Sequence, residues 1–124
     1  MFIEYNINPC DNRGIDCTVR ALATLLGKDW HRIYVELCVI GYNLCNMPSS
    51  KQVVNKYLED LGYRRFVTPE RSGGYTIRDF ADNHRYGHFL LATDSHVVPV
   101  IDGNYIDTWD SGNEIALFYW EERR

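Results

Sequence analysis

The chain has 124 residues, of which 45% are hydrophobic and 14% aromatic. That is enough for one buried core and too little for two, and it is not the composition of a disordered chain. A net charge of −4 argues against nucleic acid as the main partner, because phosphate binding needs a basic surface. No apolar run approaches the ~20 residues of a membrane span. Met1-Phe2-Ile3-Glu4-Tyr5-Asn6 lacks the basic-then-apolar order of a secretion signal. A cytoplasmic protein is expected, with Cys10, Cys17, Cys38 and Cys45 all reduced.

Phe2 to Asn6 reads as a short strand ended by Asn8-Pro9, and residues 10–15 as a loop. Val19, Leu22, Ala23, Leu25 and Leu26 then fall on one helical face. This predicts a helix from Cys17 to Leu26, with Asp16 as its N-cap and Gly27 as its stop. A second helix starts near Asp29, carries Trp30, Ile33, Tyr34, Leu37 and Cys38 on its apolar face, and fades around Gly41. Asn43 to Pro48 is a loop. Ser49 or Ser50 caps a third helix in which Val53, Val54, Tyr57, Leu58 and Leu61 recur before Gly62. Tyr63 to Val67 reads as a strand, Arg71-Ser72-Gly73-Gly74 as a turn, and Thr76 as the cap of a short helix through Asp79, Phe80 and Ala81.

Beyond Gly87 the period changes. His88–Thr93, His96–Ile101, Asn104–Trp109 and Ile115–Trp120 read as four strands, the first three separated by Asp94-Ser95 and Asp102-Gly103. Asp-Gly is a strong hairpin signal. Pro99 has no N–H and belongs at an edge or an irregularity. Helices first and antiparallel strands afterwards predict a single α+β domain over residues 1–124.

The predicted helix start places Cys17 in the first turn, where unpaired backbone N–H groups and the positive dipole end favour a thiolate. A cysteine that merely filled a core would gain nothing there, so Cys17 is read as a nucleophile. Among the four histidines, His31 lies beside Trp30 in a helix, His84 in a polar run read as solvated, and His88 near no orienting group. His96 opens a strand whose partner returns through Asp102-Gly103, which brings Asp107 and Asp110 to its level. A carboxylate there would fix the imidazole tautomer and leave one nitrogen to take the thiol proton. Asp107 is preferred as orienter and Asp110 is the alternative, since a one-residue slip of register exchanges faces. The Cys17 N–H and the Asn12 side-chain amide are the candidate oxyanion donors.

Asn12, Asp16-Cys17-Thr18-Val19-Arg20-Ala21, His96 to Gly103 and Tyr105 to Asp110 together resemble the papain-like cysteine peptidases in their compact form, as found in short bacterial and phage-encoded proteins. The resemblance implies that fold, with N-terminal helices packed on a C-terminal antiparallel sheet. It also implies Cys17 as nucleophile, His96 as general base and acid, Asp107 as orienter and Asn12 as oxyanion donor. An amide side chain before the cysteine is most often glutamine in that superfamily, so Asn12 is a departure. No cofactor and no metal are expected. The substrate would be a protein or peptide, met in the host cytoplasm if the chain is phage-encoded.

Three further readings compete. Water as the acyl acceptor gives a peptidase or amidase, whereas an amine acceptor or a glutamine substrate gives a transglutaminase or deamidase. A catalytically silent binding module, such as a phage protein that binds a host protein, would use the same fold. A zinc-stabilised domain is disfavoured because C-x6-C spacing is wider than structural zinc uses. Arg20, one turn after Cys17, either favours the thiolate or faces solvent. Trp109, Tyr119 and Trp120 are read as core or cleft wall, and Glu121-Glu122-Arg123-Arg124 as a solvated tail.

Overall fold

The computed structural model describes residues 1–70 and 72–122. Arg71 of the expected turn and Arg123-Arg124 of the expected tail lie outside the described residues. The order is β1 (Phe2–Glu4), α1 (Cys17–Leu26), α2 (Trp30–Leu44), α3 (Lys51–Asp60), β2 (Tyr63–Val67), α4 (Ile77–Asn83), β3 (His88–Ala92), β4 (Val97–Ile101), β5 (Asn104–Asp107) and β6 (Phe118–Glu122). No helix is long and apolar enough to cross a membrane among the described residues.

The strands form one sheet in the order β1-β5-β4-β3-β6-β2. The expectation of a purely C-terminal antiparallel sheet is corrected at both edges. β1 pairs with β5 in parallel, Phe2 opposite Tyr105 and Glu4 opposite Asp107, and β2, which directly follows α3, pairs with β6. The architecture is therefore α+β with a mixed six-stranded sheet. The last strand is shifted relative to expectation, so Glu121 and Glu122 are paired with β2 instead of forming a solvated tail.

Period-two alternation explains how the sheet holds two cores. Leu90, Ala92, Val97, Phe118 and Trp120 face a core shared with α1, α2 and α3, through Leu22, Ile33, Leu37, Val53 and Leu58. Phe89, Leu91, Val98, Val100 and Tyr105 face the opposite way onto Ile77, Phe80 and Ala81 of α4. Burial on both faces is why the middle strands read as continuous apolar runs. His84 belongs to the second core: it stacks on Phe80 with centroids 3.8 Å apart, and its Nδ1 lies 2.9 Å from the Phe80 carbonyl oxygen. That corrects the solvated reading.

α1 has the expected bounds, and Ser50 caps α3 by accepting the Val53 N–H at 3.2 Å. Thr76 and Asp79 form a capping box on α4. α2 runs on to Leu44, past the predicted stop at Gly41. Gly41 is buried within the helix, where an added Cβ would lie 2.7 Å from the Asn46 carbonyl oxygen. The glycine serves close approach of the following loop, and the cap is Cys45 in the left-handed region. Gly41→Ala should thus lose stability by about 1–2 kcal/mol, although alanine is the better helix former by about 1 kcal/mol. Denaturant melts of the two proteins check this, and a more stable variant would show that the loop yields.

Asp102 (φ 50°) and Gly103 (φ 82°) turn the chain from β4 to β5, as a type I′ hairpin requires. The two strands pair only at Val100–Tyr105 and Ile101–Asn104. Pro99 sits opposite Leu90 of β3, beyond the end of the ladder to β5, so no N–H is called for on that side. Where β4 and β5 part, the N-terminal end of α1 fills the space: Cys17, Arg20 and Ala21 share a small cleft with Val97, Pro99, Ile106 and Asp107.

Candidate active site

The parting of β4 and β5 decides which side chains meet. His96 precedes β4 and Asp107 ends β5, and the imidazole Nε2 lies 2.6 Å from Asp107 Oδ2. Both are buried in the site, with side-chain exposures of 11% and 4%. With Nε2 committed to the carboxylate, Nδ1 is the ring nitrogen left for Cys17, which lines the same two hollows as His96 and interacts with it electrostatically. Asp107 is itself held from two other directions. Its Oδ1 accepts the Thr108 N–H at 2.8 Å, and its Oδ2 accepts the hydroxyl of Ser111 at 2.9 Å. Ser111 is fully buried. Trp109 lies against the imidazole, centroids 5.5 Å apart, and forms an exposed wall of the cleft beside it.

These contacts set the charges. Burial of the Cys17 thiol opposes ionisation, but hydrogen bonds from His96, the Val97 backbone and Thr18 outweigh it and hold the thiol below its ordinary value. Burial likewise disfavours the imidazolium of His96. The hydrogen bond to Asp107, the one to Cys17 and the two negative charges overcome it and push His96 up to about 9. The two shifts have opposite signs and share the His96–Cys17 interaction, which favours a proton on nitrogen over one on sulfur, while Asp107 adds to the rise at His96. α1 begins with no side-chain cap, so its first-turn N–H groups add to the field that favours negative charge there.

Asp16 holds the expected N-cap position, its carbonyl accepting the Arg20 N–H at 3.0 Å, but its side chain caps no N–H. Its carboxylate accepts from Arg20 at 2.6 Å, from the Trp30 indole N–H at 3.0 Å and from the Asn8 amide at 2.9 Å. Arg20 is buried and also reaches the Gly14 carbonyl at 3.5 Å, which corrects its solvent-facing reading. This cluster ties the loop before Cys17 to α1 and α2.

Asp110 does not reach His96. It accepts from the Tyr105 hydroxyl at 2.6 Å and from the Gly112 N–H at 3.0 Å, and lies 3.7 Å from Arg78. Asn12 is not brought to the pair either. Its amide oxygen accepts the Gly14 N–H at 3.1 Å in an Asx-type turn, and the groove is lined instead by Arg13, Gly14 and Ile15. The Asn12 oxygen thus shapes its own loop, and Asn12 is not among the residues that line the groove. Sequence reading missed Ser111, Asn8 and the role of Asp16. Ser111 sits in Asp110-Ser111-Gly112-Asn113, where turn chemistry masks a buried hydroxyl. His31 is exposed beside Asp29.

Cys17 and His96 line two joined hollows. One, about 460 Å³, includes Ile15, Thr108 and Trp109; the other, about 200 Å³, includes Ser49, Lys51, Val54 and Trp120. A larger depression of about 650 Å³ follows edge strand β2 and contains none of these residues. Cys10 and Cys45 are exposed and Cys38 half-buried. Among the described residues no three His, Cys, Asp or Glu side chains converge as metal ligands would.

Compared with family models, curated proteins and solved structures, the chain matches none.

Proposed function

We propose that this protein is a cysteine-nucleophile hydrolase on a compact papain-like fold, acting on a peptide, isopeptide or other amide bond. The observation that carries the reading is the fixed imidazole: His96 is bound to Asp107 at 2.6 Å through Nε2, and Cys17, at a helix start, lines the same hollows as His96. In this mechanism the Cys17 thiolate attacks the carbonyl carbon and the Cys17 N–H stabilises the oxyanion. The His96 imidazolium gives its Nδ1 proton to the leaving amine as the C–N bond breaks and the thioester forms. Neutral His96 then takes a proton from water, whose hydroxide attacks the thioester carbonyl; the C–S bond breaks, the carboxylic acid leaves, and the Cys17 thiolate stands again beside the His96 imidazolium. Asp107 holds the ring and stabilises its charge throughout.

A panel of electrophilic acyl probes, including peptide and ubiquitin-like ones, tests the reading. Covalent labelling confined to Cys17 and lost in His96→Ala is expected, and the reactive probe would name the substrate class. Silence from every probe, in a protein whose Cys17 still reacts with iodoacetamide, would favour the binding module.

A further inference from the structure

The chain carries more acid than base, 17 Asp and Glu against 13 Lys and Arg, yet the described residues lining the two hollows around Cys17 and His96 include no carboxylate. The larger hollow is bordered by Arg13 and Arg20 and the smaller by Lys51. Arg20 is neutralised by Asp16 at 2.6 Å. Arg13 is not: its guanidinium donates to the Thr108 carbonyl at 3.3 Å and lies only within 3.9 Å of the exposed Asp11 carboxylate.

Lys51 is the more telling cation. Its Nζ stands 4.8 Å above the Phe118 ring and 3.5 Å from each of the carbonyl oxygens of Thr93 and Asp94. Those contacts fix where the ammonium is without cancelling its charge, and no carboxylate pairs with it among the described residues. The rest of its hollow is Val54, Val97 and Trp120 with the small hydroxyls of Thr18, Ser49 and Ser95. An apolar hollow about 200 Å³ in size, with one uncancelled cation at its rim, matches a side chain with a short methylene stem and an anionic end.

We infer that the groove selects an acidic polypeptide segment, with a glutamate side chain beside the attacked carbonyl seated against Lys51 and further acidic residues passing Arg13. This rests on the proposed thiol chemistry, since it names the substrate of that site. The long stem and compact charge of lysine suit a carboxylate received at a rim, where attraction is screened by salt.

Peptide acyloxymethyl ketones carrying Glu, Gln or Lys at each of the first three positions before the reactive group test it, with labelling of Cys17 as readout. At low ionic strength the best Glu probe should react about ten-fold faster than its Gln counterpart, an advantage that shrinks in molar salt. Lys51→Gln should erase that advantage, and Lys51→Glu should reverse it toward the Lys probe, each in a protein whose thermal melt shows it folded. Equal rates for Glu and Gln probes at every position, with rapid iodoacetamide labelling of wild-type Cys17, would overturn the specificity and leave the thiol chemistry standing. Sluggish iodoacetamide labelling of wild-type Cys17 would overturn both. Protection of Cys17 by an oligonucleotide but not by a glutamate-rich peptide would assign the cations to another polyanion and also overturn the inference.

Discussion

Asp107→Asn is expected to slow acylation of Cys17 by roughly 10³-fold while leaving the protein folded. The carboxylate accepts on every side: Thr108 N–H at Oδ1, and Ser111 hydroxyl with His96 Nε2 at Oδ2. An asparagine has only one accepting atom. If its oxygen stays with Thr108, the amide N–H2 points at Ser111 and at the imidazole. Nε2 must then lose its proton to become an acceptor, and in the neutral ring Nδ1 carries the hydrogen that faces Cys17. Such a ring cannot take the thiol's proton. If the amide flips, two N–H donors oppose one another at Thr108. Either outcome removes the negative charge that helps to hold His96 at about 9, and the imidazole falls back toward its ordinary value. Second-order labelling rates with a reactive acyl probe, compared with a circular dichroism melt, check this. A loss smaller than a few-fold in a folded protein would mean that the His96–Asp107 bond is structural only.

The largest effect on stability is expected from Asp16→Ala. The ion pair with Arg20 is 2.6 Å long, and the two side chains are only 14% and 9% exposed, so it is not one of the surface pairs worth little. Removing the carboxylate leaves a buried guanidinium with only the long Gly14 carbonyl contact, and strips the acceptor from Trp30 Nε1 and Asn8 Nδ2. A loss of about 3–5 kcal/mol follows from leaving one partner of a buried pair uncompensated, a large share of the 5–15 kcal/mol typical of a domain (about). Asp16→Ala combined with Arg20→Met removes the stranded charge and should recover part of it, which a double-mutant cycle in urea measures. A single-variant loss below about 1 kcal/mol would put the pair with the exposed ones.

The Cys17–Leu26 helix and the hairpin at Asp102-Gly103 were legible because their signals are local: a 3.6-residue period behind a polar loop, and a dipeptide that tolerates positive φ. Preference for Asp107 over Asp110 came from that same short turn, and the structure places Asp107 against His96. Partnerships spanning most of the chain were not legible. β1 joins β5 across about a hundred residues, and nothing in Phe2-Ile3-Glu4 specifies a parallel neighbour. Asp16 satisfied every local rule for an N-cap, yet a buried arginine and an indole N–H compete for the same carboxylate, and tertiary demand won. Asn12 shows the converse: local turn chemistry engages the oxygen of a side chain that a distant site was expected to use. Gly41 looked like a helix stop because close backbone approach leaves the same letter as a C-cap.

The ionic state of Cys17 carries the whole account, and the pH dependence of its thiolate reads it directly. The signs follow from the two shifts. His96, raised, keeps its proton in the folded state up to about 9, while Cys17, lowered, gives up its own at lower pH than an ordinary thiol. Between the ordinary imidazole value of 6.5 and about 9 the raised His96 contributes stability that is lost as pH rises, and the lowered Cys17 contributes stability that is gained as pH rises, so the two slopes oppose one another. On acidification the contribution of Cys17 is lost as its thiolate takes up a proton, and the contribution of His96 is fully present below 6.5. The decisive measurement is the difference in ultraviolet thiolate absorbance between wild type and Cys17→Ser across that range, repeated on a His96→Ala background. A thiolate already present at neutral pH in the wild type, and restored to ordinary thiol titration near 9.0 without His96, is the predicted result. A Cys17 that ionises only near 9.0 with His96 in place would contradict the account.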